Sequence, residues 1–239
     1  MAVKVFRLRK HDFSRINNFV LKQSGRYTFG GKLYLVFFAL VTIFLVHSSF
    51  IRYHQFVGER YYNSLSAGRA QSGNSELPQM ENELVAAAHH LNMTHKYGLY
   101  SSPALLRQLA AIAIYNNDQK VAKSYLKSMI KKLPGDLEAR LRYAKLLIVT
   151  GKESESFEHL NYIIDKPAFT EGEKRLKSDA FVTLGHLEEQ AGFSSNALNH
   201  YRLAMKENNS NYDASLAAGV LLTRAGKWDE ARQFLITAS

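Results

Sequence analysis

The sequence predicts an all-α protein: one N-terminal transmembrane helix followed by an α-solenoid of about four helix pairs. Three observations predict it. An apolar run, LYLVFFALVTIFLVHSSF, occupies Leu33 to Phe50 without a formally charged residue. A small-residue pair recurs as Leu109-Ala110, Tyr143-Ala144, Leu184-Gly185 and Ala218-Gly219. Its second member falls at 110, 144, 185 and 219, so the steps are 34, 41 and 34 residues. The composition, 46% hydrophobic and 22% charged with four prolines, is that of a globular chain rather than a disordered or collagenous one. Cysteine is absent, which excludes disulfides, thiolate metal sites and a cysteine nucleophile.

The first element is a basic arm, residues 1–32. It holds eight Lys/Arg and one Asp, a net of +7, whereas residues 33–239 carry 23 Lys/Arg and 20 Asp/Glu, a net of +3. Phe13, Ile16 and Val20 stand at i, i+3 and i+7, which predicts a short amphipathic helix on an anionic membrane surface. Before it, VKVFRLRK alternates apolar and basic residues and could add as a strand to a partner's sheet edge. A plain topogenic role accounts for the same charges. No nucleic-acid partner is expected, because no recognised binding fold accompanies the arm.

The second element is the membrane span, with the lipid bilayer as partner from Leu33 to Ile51. Eighteen helical residues reach about 27 Å, near the lower limit for the hydrocarbon core. Lys32 and Arg52 bracket the run, and Tyr34 and Tyr53 sit where aromatic rings suit the headgroup region. A buried core helix would not be apolar on nearly every face. A cleaved signal peptide would need a 32-residue basic region before its apolar part. The run is therefore expected to be an uncleaved signal anchor, residues 33–51. Eight basic residues precede it, and only Arg52, Arg60 and Arg69 follow within about twenty residues. That asymmetry predicts a cytoplasmic N-terminus, with everything after residue 52 across the membrane, in the periplasm if the source is bacterial.

Residues 52–78 are expected to form a linker, because NSLSAGRAQSGNSELP is rich in Ser, Gly and Asn. Residues 79–102 supply a capping helix and loop, with Leu84, Ala88 and Leu91 on one face. Repeats follow over 103–239, in units 103–136, 137–170, 178–211 and 212–239. The first holds Leu106, Leu109, Ala110, Ala122, Leu126, Met129 and Pro134 in phase. The second holds Arg140, Tyr143, Ala144, Leu147, Gly151, Ser156, Leu160 and Ile163. The third holds Phe181, Leu184, Gly185, Gly192, Ala197, Tyr201 and Ala204. The fourth holds Ser215, Ala218, Gly219, Leu222, Gly226, Trp228, Ala231, Leu235 and Ala238. Small residues let two helices cross closely, and large apolar ones fill the space between units. Gly151, Gly192 and Gly226 stand where a helix should end on a left-handed residue. The segment KPAFTEGEKRLK, 166–177, lengthens a loop or adds helical turns.

This region resembles the tetratricopeptide repeat (TPR) family, whose period is 34 residues. Arg140 stands where the family has an aromatic residue, Ser156 where it has Ala, and Ala168 and Asn209 where it has Pro. With the anchor, the chain is similar to bacterial inner-membrane proteins that carry a periplasmic TPR domain. The resemblance implies a concave groove lined by the first helix of each unit. Its positions fall here on Arg107, Tyr115, Lys145, His186, Glu189 and Arg224, among Ala111, Ile114, Leu141, Ile148, Val182, Gln190, Leu216, Val220 and Thr223. This mixed set suits a helix or extended peptide. Ala111 stands where carboxylate-clamping members of the family have Asn, which argues against that mode.

No catalytic site, cofactor or metal is expected. His89, His90 and His95 lack the carboxylate or cysteine that would complete a ligand set, and no phosphate-binding, dinucleotide or nucleophile-elbow motif is present. The implied function is a non-catalytic membrane-anchored scaffold or assembly factor that holds another envelope protein. The alternative is a periplasmic chaperone-like factor beside the protein translocation machinery. At the end of the chain, Ala231, Leu235 and Ala238 are expected to face the preceding helix. Phe234 and Ile236 are then left as a docking surface, for a second copy (a homo-oligomer) or for the partner.

Overall fold

The computed structural model describes residues 14–16, 19–68 and 77–237. The segment VKVFRLRK, Phe13, the stretch 69–76 of the expected linker, and Ala238 lie outside the described residues. The chain divides into two compact units, Met1–Tyr100 and Ser101–Ser239.

The first unit opens with β1 (Ser14–Ile16), β2 (Phe19–Gln23) and β3 (Arg26–Tyr27), an antiparallel sheet in that order. The amphipathic helix expected here is not formed. Ser24 and Gly25 both take positive φ, 50° and 77°, the geometry of a tight two-residue hairpin turn. That turn pairs Lys22 with Tyr27 and Gln23 with Arg26. Leu21 is buried, its backbone pressed against Gly31, where a Cβ would collide with it. Thr28 caps the start of the unit's first helix, its Oγ1 accepting from the Gly31 N–H at 3.0 Å.

That helix, α1 (Phe29–Gly68), is 40 residues long and contains a stretch apolar enough to cross a membrane, none of it buried against protein. It does not stop at Ile51. Residues 52–68, expected to begin a linker, remain helical because α2 (Leu77–Tyr97) packs antiparallel along them. Ser64 Oγ donates to Glu83 at 2.8 Å. Leu91 lies against Gly58. His54 and His90 meet through a hydrogen bond between Nδ1 atoms 2.9 Å apart. Burial, and after it the charges of His54 and His89, push the His90 imidazole below its ordinary pKa.

The second unit contains α3 (Pro103–Tyr115), α4 (Gln119–Lys132), α5 (Leu137–Val149), α6 (Glu153–Asp165), α7 (Glu171–Gln190), α8 (Ser194–Glu207), α9 (Tyr212–Arg224) and α10 (Trp228–Thr237). Helices pair as α3–α4, α5–α6, α7–α8 and α9–α10, and each pair stacks on the next. Side chains cap the starts: Ser102, Asp118, Asp136 and Asn211 each accept a first-turn N–H, and Thr170 with Glu173 forms a reciprocal capping box. Gly151, Gly192 and Gly226 end their helices at positive φ. The extra sequence at 166–177 lengthens α7 to 20 residues, against 13 in α5 and α9.

The core is built between pairs, as a stacked array requires. Leu106, Leu126 and Met129 of one pair meet Ala139 of the next. Leu141, Leu160 and Ile163 meet Ala180 and Leu184. Ala122, Ala197 and Ala231 are buried at the helix crossings. Arg140 fills the place of an aromatic by lying on one: its guanidinium sits 3.7 Å from the centre of the Tyr162 ring, and its Nε donates to the Pro134 carbonyl at 2.8 Å. Ser156 is tolerated in the core because its hydroxyl donates to the Glu153 carbonyl at 2.6 Å.

Candidate functional site

The groove faces of α5, α7 and α9 enclose an open cavity of about 400 Å³. Its apolar wall is Ile148, Val149, Val182 and Leu187, and its polar groups are Lys145, Asp179, Thr183, His186, Gln190 and Asp213. Helical spacing explains the arrangement. Lys145 and Ile148 are three apart on α5; Asp179, Val182 and His186 follow at i, i+3 and i+7 on α7.

Asp179 carries the electrostatics. Burial pushes its carboxyl above the usual carboxylate range; Lys145 and a hydrogen bond from Asn211 pull it back, and Asp213 adds to the rise. Asn211 Nδ2 holds both Asp179 Oδ1, at 3.2 Å, and Ser178 Oγ, at 2.8 Å. Ser178 in turn donates to the Ala204 carbonyl at 2.7 Å. This chain of bonds fixes the start of α9 against α7, so the two carboxylates at the cavity rim are held by the fold.

The residues singled out by sequence separate into three groups. Lys145 and His186 line the cavity. Glu189 and Arg224 form a clamp beside it: Glu189 accepts from Arg224 at 2.7 Å and from the Tyr201 hydroxyl at 2.9 Å, and that hydroxyl also meets His186 Nδ1 at 3.0 Å. Burial and the Glu189 carboxylate raise the Tyr201 phenol above its ordinary pKa, so it stays a donor. Arg107 is spent on an ion pair with Asp136 at 2.8 Å, and Tyr115 is exposed at the end of α3; neither lines the cavity. Asp179 and Asp213 were not singled out. Both stand at the second position of their units, a groove position of the family, so a signal was present.

The expectation for α10 changes in part. Phe234 does not point away from the array. It packs on Ala197, Tyr201, Ala218 and Leu221 of the preceding helices, and Arg202 lies 6.0 Å from its ring centre. Ile236 is 63% exposed. Among the described residues there is no group of three or more His, Asp or Glu that could hold a metal ion.

No protein-family model matches the chain. No curated protein matches it in sequence. Solved structures do match in shape. A MamA fragment from Desulfovibrio magneticus RS-1 is 12% identical, with a TM-score of 0.53 over 76% of this chain and 93% of that one. Pseudomonas aeruginosa PilF is 14% identical, with a TM-score of 0.53 over 77% and 76%. The quorum sensor NprR from B. thuringiensis, in its apo form, is 10% identical, with a TM-score of 0.59 over 87% and 69%. MamA and PilF are TPR proteins, and the fold shared with them is a TPR-type solenoid.

Proposed function

We propose that the chain is a membrane-anchored, non-catalytic TPR scaffold whose groove holds a segment of another envelope protein. The observation that carries this is the cavity between α5, α7 and α9, with its apolar wall and two carboxylates at its rim. An amphipathic helix or extended peptide would place apolar side chains against Val182 and Leu187. A lysine, arginine or N-terminal amine would meet Asp179 and Asp213. A cation there would offset the burial cost of the Asp179 carboxylate, which Lys145 and Asn211 offset only in part.

In this reading α1 spans the bacterial inner membrane as a single pass. The basic excess before the span supports a cytoplasmic N-terminus and periplasmic repeats. A reporter fused after Ser239 is expected to be active only outside the cytoplasm, and a cytoplasmic signal would overturn the orientation.

The partner is tested by photo-crosslinking in cells from Val149 and Gln190, at the cavity, with Lys227 as a site outside it. One envelope protein captured in fixed ratio from the first two positions, and not the third, is the expected result. A broad set of unfolded clients would favour the chaperone-like alternative. Capture from Lys227 alone would remove the groove from consideration.

A further inference from the structure

The register of the α1–α2 hairpin has a bearing on the membrane. From Ser64–Glu83, through Gly58–Leu91 and His54–His90, α2 runs back toward the span. It ends with Tyr97 beside His47 and Phe50. The Tyr97 carbonyl lies 3.1 Å from His47 Nε2, and the Tyr97 and Phe50 rings meet edge-on at 6.2 Å. His47 and Phe50 belong to the last turns of the apolar run.

The length of bare helix decides where that contact falls. Leu33 to Val46 is about 21 Å of helix at 1.5 Å per residue, short of a hydrocarbon core of about 30 Å. To fill the core from Lys32, the span must reach Arg52. The level of His47 then lies about 7.5 Å below that of Arg52. The end of α2 at Tyr97 is therefore level with the outer part of the hydrocarbon core, within about 7.5 Å of the headgroup layer.

Its chemistry fits that depth. Tyr97 is half exposed, Leu99 is 89% exposed and Tyr100 68% exposed. Lys96 lies 5.1 Å from the Tyr97 ring centre, a cation that can extend toward the headgroups. Backbone carbonyls at a helix end are costly near hydrocarbon unless paired. Here the Tyr97 carbonyl has His47, and the Thr94 carbonyl accepts from the Gly98 N–H at 2.9 Å. Aromatic rings flanked by lysine are what the membrane interface selects, and two of the helix-end carbonyls are already paired here.

We propose that Tyr97–Tyr100 is a second membrane contact, seated at the shallow outer edge of the bilayer that α1 crosses, between the outer hydrocarbon and the headgroups. This rests on the reading of α1 as a membrane span. By this account the hairpin brings the chain back to the lipid surface after residue 68.

The test uses the full chain, with its one tryptophan replaced (Trp228→Phe) and a new one introduced by Leu99→Trp, Ile43→Trp or Val85→Trp. Each variant is reconstituted in phosphatidylcholine vesicles whose acyl chains are brominated near the glycerol end or near the methyl end. Leu99→Trp should lose emission most to the shallow bromine, and Ile43→Trp most to the deep one. Val85→Trp, exposed toward the other end of α2, should lose none. If Ile43→Trp is quenched but Leu99→Trp is not, the second contact is wrong and the span stands. If Ile43→Trp is not quenched either, the span and the proposal fall together. A Tyr100→Trp variant with the same depth profile as Leu99→Trp guards against an effect of one substitution.

Discussion

Replacing Gly185 with Ala tests how the third repeat is held together. In an ordinary helix the change would stabilise by roughly 1 kcal/mol, because Ala is the better helix former. At this crossing the added methyl would stand 2.8 Å from Tyr201 Cδ1 and 3.0 Å from Cζ, and closer still to Cε1. The ring cannot retreat. Tyr201 is 0% exposed, is backed by Ala197 and Ala218, and has its hydroxyl bonded to His186 and Glu189. Overpacking of this kind costs about 1–3 kcal/mol, and a displaced hydroxyl loses a bond to a carboxylate as well. The net expectation is a loss of about 1–2 kcal/mol. At about 2.1 cal/mol/K of unfolding entropy per residue, the unit Ser101–Ser239 should melt about 3–7 °C lower. Thermal unfolding followed by circular dichroism reads this directly. A cycle with Tyr201→Leu should show coupling, the alanine costing little once the ring is gone. If Gly185→Ala raises the melting temperature, the close crossing does not constrain the helix and the reasoning fails.

Ala197→Leu, at another closed crossing, should cost about 1–3 kcal/mol in the same assay; an unchanged melting temperature would mean the third repeat is framed wrongly. Asp179→Asn should stabilise the domain at neutral pH. A carboxyl with a raised folded pKa binds its proton more tightly when folded, so its contribution declines as pH rises through the ordinary aspartate range. The advantage of Asn should thus vanish on acidification below that range, and a pH-independent gain would count against burial as the cause. Partner capture should weaken in the same variant. Arg140→Ala should cost about 1–2 kcal/mol through loss of the Tyr162 stack and the Pro134 bond, measured by urea unfolding. For the hairpin, His90 is held below its ordinary pKa. Its contribution is therefore fully present above about pH 6.5 and is lost progressively as pH falls from there through the lowered folded pKa. Hydrogen-exchange protection factors in α2, with the intrinsic pH dependence of amide exchange divided out, should fall on acidification, and His90→Gln should flatten that response.

What the sequence by itself determined is what depends on local order. The long apolar helix follows from a composition that no neighbour needs to complete. The phase of the repeats follows from small residues at 110, 144, 185 and 219 and from glycines at 151, 192 and 226, because helix crossing and left-handed capping make demands on single positions. Tertiary structure decided the rest. The basic arm's apolar spacing fits a helix, but a Ser24–Gly25 turn and pairing across it make strands, and strand pairing lies beyond one residue's periodicity. Residues 52–68 read as a spacer by composition, yet they stay helical because α2 supplies the surface they pack on. Asp179 and Asp213 come together only when α7 and α9 stack. Phe234 turns inward because the gap beside Tyr201, formed by α8 and α9, is the apolar surface within its reach.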